Sequence, residues 1–151
     1  MGRSIVLREQ SVQVHAAAEL CFQVVASGGS TLEDRGDREK LVRFRTQLGS
    51  RELVTIEVVR LEPPNRISYR WVEGPLCNVQ ESIDIVPLSE EECELRHRGH
   101  FDTRHGGVRG LFEGWIIGRM FDRAVREHLE QAKLAAEARA ERSHMFPRKK
   151  P

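Results

Sequence analysis

Five short runs of alternating hydrophobic and polar residues are followed by one long run with helical spacing. The alternating runs predict β-strands at about 41–48, 52–61, 66–73, 77–87 and 93–103. Turn-forming residues separate them, which is typical of an antiparallel meander. From about Val108 to Arg142 nothing interrupts a helical pattern. Because the apolar face of a sheet must be covered, we predict an α+β fold in which a curved antiparallel sheet wraps around the long C-terminal helix.

The residues before the meander predict one further strand and one short helix. Ser4–Val14 alternates like a strand, and Ala16–Ala26 has an apolar helical face that Gly28 and Gly29 would end. The charged segment 31–40 can bury little surface, so we expect a loop there, and whether residues 28–40 form a second helix stays open. We expect residues 1–142 to form a single domain and residues 143–151 to form a flexible basic tail.

The alternation also assigns one face of each strand to the interior. The strand at 52–61 has hydrophobic residues in both registers. We expect its even-numbered set, which includes Ile56 and Val58, to face inward, because the other register would place Glu57 inside. The inward residues of the other strands are Val42, Phe44, Thr46, Leu48, Ile67, Tyr69, Trp71, Cys77, Val79, Glu81, Ile83, Ile85, Cys93, Leu95, His97, Gly99 and Phe101.

The composition excludes several classes of protein. Net charge is +1 and the basic residues are dispersed, which argues against a nucleic-acid-binding surface. The three cysteines lack metal-site spacing and predict reduced, mostly buried side chains in a cytoplasmic protein. No apolar run approaches the ~20 residues of a membrane span, and the N-terminus lacks a signal-peptide core. We therefore expect a soluble cytoplasmic protein without integral membrane association.

Three polar residues interrupt the predicted inner face on three consecutive strands. A turn centred on Pro75 would place Tyr69 opposite Glu81, and a turn centred on Ser89 would place Glu81 opposite His97. Directly opposed side chains are ~4.5–5.5 Å apart at Cβ. The three groups would then form a row across the concave face, or a diagonal if one hairpin shifts by two residues.

The polar row has two functional interpretations and two structural interpretations. Glu81, His97 and Tyr69 are candidate catalytic residues, because a carboxylate facing an imidazole can act as a general acid/base pair. The same groups could instead orient a bound ligand through its carbonyl or hydroxyl oxygen. The structural alternatives are a polar cluster that only satisfies itself and a Glu81 side chain that faces water.

Glycine and histidine patterns carry weaker signals. Gly106, Gly110, Gly114 and Gly118 recur every four residues. We expect them to allow close packing of the helix against the sheet or a neighbouring chain, with a widened and more flexible cavity mouth as the alternative. His97 and His100 are an odd number of positions apart on one strand, so they point to opposite faces and cannot share a metal ion. No phosphate-binding loop or serine elbow is present, and we expect neither a metal nor a cofactor.

Three segments resemble the START-like superfamily, also called SRPBCC, whose fold is the helix-grip. They are SVQVHAAAELCFQVVAS, VVRLEPPNRISYRW and SIDIVPLSEEECELRHRG, and the resemblance covers roughly residues 4–140. One segment departs from the family pattern: a Trp-containing stretch often follows the first helix, whereas GGSTLEDRGDREK is charged.

The resemblance implies a protein that binds or transports a hydrophobic or aromatic small molecule, such as a lipid, polyketide or quinone. The first alternative is a polyketide cyclase or dehydratase that uses Glu81 and His97 as acid and base. The second is an interaction module whose cavity is filled by its own side chains. In each case we expect a monomer or a homodimer. The expected ligand-binding residues are Phe44, Ile56, Val58, Tyr69, Trp71, Val79, Glu81, Ile83, Leu95, His97, Phe101, Phe112, Trp115 and Ile116.

Overall fold

The computed structural model describes residues 2–48 and 50–145, and of Leu48 it describes only the backbone. Ten elements follow one another along the chain. They are β1 (Ser4–Val6), β2 (Gln10–Val14), α1 (Ala18–Ala26), β3 (Ser30–Asp34), β4 (Glu39–Leu48), β5 (Arg51–Glu62), β6 (Arg66–Glu73), β7 (Cys77–Pro87), β8 (Cys93–Asp102) and α2 (Gly107–Met145).

The strands form one antiparallel sheet in the order β1-β8-β7-β6-β5-β4-β3, and β2 also pairs with β8. Each of β4 to β7 pairs with the next strand in the chain, so the predicted meander is confirmed. The sheet and α2 together confirm the α+β prediction. No helix among the residues described here is long and apolar enough to span a membrane.

Two predictions for the N-terminal third were wrong. Ser4–Val14 forms two strands, because its register against β8 shifts by one residue between Val6, which is opposite His100, and Gln10, which is opposite His97. The segment predicted as a loop contains β3, which pairs with β4. All five β3 residues are exposed. An edge strand can be held by main-chain hydrogen bonds alone, so its sequence needs no apolar alternation.

The position of α2 is fixed along most of its length. Near its start, a Cβ on Gly114 would lie 2.9 Å from Cδ1 of Ile5, and one on Gly110 would clash with the carbonyl oxygen of His105. The packing explanation therefore holds for Gly114, which meets a strand of the sheet. At Gly110 the close contact is with the segment just before α2, and nothing lies within 4 Å of a Cβ on Gly118. Further along, Gln10 Nε2 donates to the carbonyl of Asp122 at 2.8 Å.

The main hydrophobic core lies along the middle and C-terminal part of α2, between that helix, α1 and the sheet. It includes Val14, Cys21, Ile67, Leu95, Val125 and Leu129. A smaller cluster of Leu7, Val79 and Phe101 lies near the other end. The helix continues to Met145, three residues into the predicted tail, and residues 146–151 of that tail lie outside the described residues.

The three cysteines are free, and two of them are buried as predicted. Cys21 and Cys93 lie with their sulfur atoms 3.0 Å apart, and burial raises the pKa of both thiols. The inward assignment of Cys77 was wrong, because its side chain is exposed. The pairing of β7 with β8 is irregular between Cys77 and Gln80, and Asn78 has φ 51°, so the alternation does not extend back to Cys77.

Candidate functional site

A cavity of about 320 Å³ lies between the concave face of the sheet and the middle of α2. Most of its lining is apolar, and it includes exposed residues such as Pro75 and Met120, so the cavity reaches solvent. Its larger apolar residues include Phe44, Leu53, Trp71, Ile83, Ile117 and Phe121.

Aromatic contacts hold the sheet side of the cavity against the helix. Phe121 of α2 lies between two rings of the sheet, with centroid distances of 5.7 Å to Trp71 and 5.5 Å to Phe101. On the sheet itself, Phe44 meets Tyr69 edge-on at 5.9 Å. Aromatic pairs at these distances are worth ~0.5–1.5 kcal/mol each beyond area burial. They fix the rings that line the cavity.

Three side chains of the sheet form a hydrogen-bonded group around Glu81. The indole Nε1 of Trp71 donates to Glu81 Oε2 at 3.2 Å, and His97 Nε2 lies 2.9 Å from Glu81 Oε1. The Glu81 side chain is 14 % exposed and that of His97 is 5 % exposed. Both carboxylate oxygens therefore have a partner, as a charged group in an apolar site requires.

The surroundings of the other ring nitrogen of His97, Nδ1, indicate which ring nitrogen carries the proton. Nδ1 is buried and has no hydrogen-bond partner among the described residues. A buried N–H without an acceptor costs ~1–3 kcal/mol. The tautomer with the proton on Nε2 avoids this cost and donates that proton to Glu81.

A second carboxyl group, that of Glu57, lies in the same cavity with a different environment. Glu57 is 6 % exposed, and Thr55 Oγ1 donates to its Oε2 at 2.5 Å. Burial raises the pKa of Glu57 to about 7, the hydroxyl of Thr55 opposes this rise, and the charge of Glu81 adds to it. Glu57 is therefore the cavity carboxyl that titrates near neutral pH.

Two further titratable groups line the cavity. Burial raises the pKa of Tyr69, and the charges of Glu81 and Glu57 add to the effect. Its hydroxyl makes no hydrogen bond to any described residue. On α2, desolvation lowers the pKa of His128, opposed by Glu81. His128 is an exposed residue that also lines the cavity.

The structure confirms one predicted strand pairing of the polar row and corrects the other. Tyr69 is opposite Glu81 as predicted, but Glu81 is opposite Gly99, and His97 is opposite Ile83. The row is therefore diagonal at this point. Gly99 makes room for this arrangement, because a Cβ at that position would lie 3.1 Å from Cγ of Glu81.

Six of the fourteen predicted ligand-binding residues line the cavity, and eight do not. Those that line it are Phe44, Tyr69, Trp71, Glu81, Ile83 and His97. Val79, Leu95 and Phe101 face inward but are fully buried in the core. The wrong placements are those of Ile56, Val58, Phe112, Trp115 and Ile116.

The error on β5 came from the choice between its two registers. In the structure Phe44 is opposite Thr55 and Val42 is opposite Glu57, so the odd-numbered residues face the cavity. Ile56 and Val58 point to the other face of the sheet. The odd-numbered register was rejected because it would place Glu57 inside, and the structure does place Glu57 inside. Thr55 and the proton on the carboxyl make that burial tolerable.

The predicted cavity side of α2 was wrong, because the helix is rotated about its axis relative to the prediction. Phe112 and Trp115 are 62 % and 58 % exposed, and Ile116 is also exposed. The cavity side of the helix includes Ile117, Phe121, Val125 and Leu129. Their spacing of four residues was a usable signal, but the larger aromatic residues of the neighbouring stripe outweighed it. His128 was missed for the same reason.

Residues 9–137 match the model of one protein family, described as polyketide cyclase / dehydrase and lipid transport. No curated protein matches the sequence. The fold is similar to that of the Zhui aromatase/cyclase from Streptomyces sp. R1128, with 23 % identity, a TM-score of 0.67 and coverage of 95 % of this chain and 96 % of that one.

Two other solved structures are similar in the same way. A START superfamily protein from Mycobacterium smegmatis has 19 % identity and a TM-score of 0.68, over 91 % of this chain and 99 % of that one. The di-domain ARO/CYC StfQ of the steffimycin biosynthetic pathway has 17 % identity and a TM-score of 0.76, over 91 % of this chain and 52 % of that one. At these identities the similarities concern the fold, and they confirm the START-like helix-grip prediction.

Proposed function

This chain belongs to the polyketide cyclase / dehydrase and lipid transport family, and we propose that it binds a hydrophobic or aromatic small molecule in the cavity between the sheet and α2. The observation that carries the proposal is the cavity itself, which combines an apolar lining with a few convergent polar groups. Such pockets are the usual sites of small-molecule binding.

The size and lining of the cavity support a compact ligand. Its volume of about 320 Å³ lies near the lower end of the ~300–1,000 Å³ typical of ligand pockets. Rings of Phe44, Tyr69, Trp71 and Phe121 face the space, and they favour a flat aromatic molecule over a long acyl chain. Side chains of the protein leave this cavity unfilled, which argues against the alternative of an interaction module with a filled interior.

The proposal can be tested with the fluorescence of one tryptophan. The chain has two tryptophans, Trp71 on the cavity and exposed Trp115. In Trp115→Phe the remaining emission comes from Trp71 alone. We expect the neutral probe N-phenyl-1-naphthylamine to quench this emission saturably, with enhancement of its own emission.

Two matched variants show whether the probe occupies the cavity. Ala124 lines the cavity, whereas Ala135, on the same helix, is exposed. Ala124→Phe should abolish the quenching, and Ala135→Phe should leave it unchanged. Equal quenching in both variants would place the probe outside the cavity and refute the proposal. Native mass spectrometry of protein purified from its own host would then identify the natural ligand.

A second candidate function is catalysis of a cyclase or dehydratase type. The observation that favours it is the 2.9 Å contact between His97 Nε2 and Glu81 Oε1 on the cavity wall, together with a fold similar to that of an aromatase/cyclase. Catalysis by a coupled acid and base would give a bell-shaped dependence of turnover on pH. Binding without turnover of polyketide-like substrates would favour the carrier function.

A further inference from the structure

Glu57 is a buried cavity group whose second carboxyl oxygen has no assigned partner. Oε2 accepts the hydrogen bond from Thr55, and no described residue hydrogen-bonds to Oε1. The side chain lines the cavity and is 6 % exposed. A polar atom in this position is available to whatever occupies the cavity.

The charged and titratable groups around Glu57 offer it no cation. The other titratable residues that line the cavity are Tyr69 on β6, Glu81 on β7, His97 on β8 and His128 on α2. On β4, its partner in the ladder is the apolar residue Val42. The imidazole of His97 is engaged with Glu81, and no Lys or Arg lies among the described residues that line the cavity.

This environment favours the neutral carboxylic acid. A buried carboxylate without a paired cation is costly, and the nearby Glu81 adds like-charge repulsion. With Oε2 accepting from Thr55, the proton resides on Oε1. Below neutral pH the cavity therefore contains an O–H donor, and above neutral pH it contains a second, poorly paired anion.

Building on the ligand-binding function proposed above, we propose that the protonated carboxyl of Glu57 selects a neutral ligand carrying a carbonyl oxygen, and that loss of this proton releases the ligand. A carbonyl oxygen accepts the Oε1–H bond. An anionic ligand is disfavoured, because Glu81 is a fixed acceptor in the same cavity. Glu57 thereby determines both the specificity of the cavity and its response to pH.

The test compares two neutral fluorescent probes. Prodan, 6-propionyl-2-dimethylaminonaphthalene, is an aromatic ketone, whereas N-phenyl-1-naphthylamine has no carbonyl. If Prodan binds only the protonated form, its apparent Kd in the wild type should rise about tenfold between pH 6 and pH 8. Unfolding curves at each pH confirm that the protein remains folded.

Three variants assign this pH dependence to Glu57. Glu57→Gln keeps an N–H donor and cannot ionise, so Prodan should bind with no pH dependence. Glu57→Leu removes the donor, and its Prodan Kd should be about tenfold above that of Glu57→Gln, with little change for N-phenyl-1-naphthylamine. Glu73→Gln, at an exposed glutamate of β6, should behave like the wild type.

Three other outcomes would each contradict the proposed role of Glu57, the proposed binding function, or both. Saturable Prodan binding that does not change with pH in the wild type would overturn the role of Glu57 and leave cavity binding intact. A pH dependence that persists in Glu57→Gln would overturn it too, and would assign the titration to another group such as His128. If neither probe binds to any variant at pH 6, the proposed binding function fails, and the role of Glu57 fails with it.

Discussion

Strands β5 and β7 each place one glutamate in the same cavity, but the two carboxyl groups have opposite surroundings. Glu81 on β7 has a partner for each oxygen, the indole of Trp71 and the imidazole of His97. Glu57 on β5 has the hydroxyl of Thr55 as its partner and is 6 % exposed. Two glutamates on one sheet therefore differ in their hydrogen-bond partners and can take different chemical roles.

The difference shows that burial and the available hydrogen-bond donors together decide what a cavity carboxyl can do. Glu81 is committed to acting as an acceptor, because two ring N–H groups are directed at it. Glu57 lacks a second donor and retains a proton to near neutral pH. Pairs of acids whose environments diverge in this way can divide the roles of proton donor and acceptor.

The largest expected effect concerns Glu57 and the dependence of stability on pH. The folded-state pKa of Glu57 is about 7, above the usual value, so the native state retains a proton that the unfolded chain has already lost. The free energy of unfolding therefore falls as pH rises from about 4 to about 7 and levels off above that. In Glu57→Gln this fall should disappear, and the variant should gain about 2–3 kcal/mol relative to the wild type between pH 5 and pH 8.

Urea denaturation at both pH values measures this gain. The control is Glu73→Gln, because Glu73 is exposed on the neighbouring strand and its replacement should give a difference that does not change with pH. If Glu57→Gln changes the free energy of unfolding by the same amount at pH 5 and at pH 8, Glu57 is ionised in the folded protein at both pH values. The proposed difference between Glu57 and Glu81 would then be wrong.

The sequence predicted the sheet and the long helix because the relevant signals are local. Alternation in β4 and in β6 to β8 is set by side chains that contact the core, and the strand bounds follow the turn residues. β3 was not predictable in this way, because its residues are all exposed and its pairing with β4 depends on main-chain hydrogen bonds. An edge strand leaves little trace in a hydrophobic pattern.

The candidate site was predicted in part, and its misses have a common cause. Tyr69, Glu81 and His97 were placed on the cavity side from alternation alone. Glu57 was excluded because a buried carboxylate seemed too costly, although a protonated carboxyl with a hydroxyl partner avoids most of that cost. The pattern contains no information on protonation, and in α2 the large aromatic residues outweighed the four-residue spacing that marks the cavity side of the helix.

A smaller effect is expected for the donors that hold Glu81. The hydrogen bond from Trp71 Nε1 to Glu81 Oε2 is lost in Trp71→Phe, which keeps an aromatic ring in place. A double-mutant cycle of Trp71→Phe with Glu81→Gln should give a coupling free energy of about 1 kcal/mol. The matching cycle with Glu57→Gln should give less, because Trp71 lies opposite Glu57 in the ladder but makes no hydrogen bond to it. Equal coupling in both cycles would mean that Trp71 does not distinguish the two carboxyl groups.

The smallest effect tests whether the two carboxyl groups influence each other. The charge of Glu81 contributes to the raised pKa of Glu57, although burial is the main cause. Glu81→Gln should therefore lower the pKa of Glu57, and the pH at which stability stops falling should move to a lower value. The measurement is the pH profile of the unfolding free energy of Glu81→Gln, with the Glu57→Gln/Glu81→Gln double variant as the reference without either acid. An unchanged profile would mean that Trp71 and His97 neutralise the field of Glu81 at Glu57, so that burial on β5 alone sets the titration.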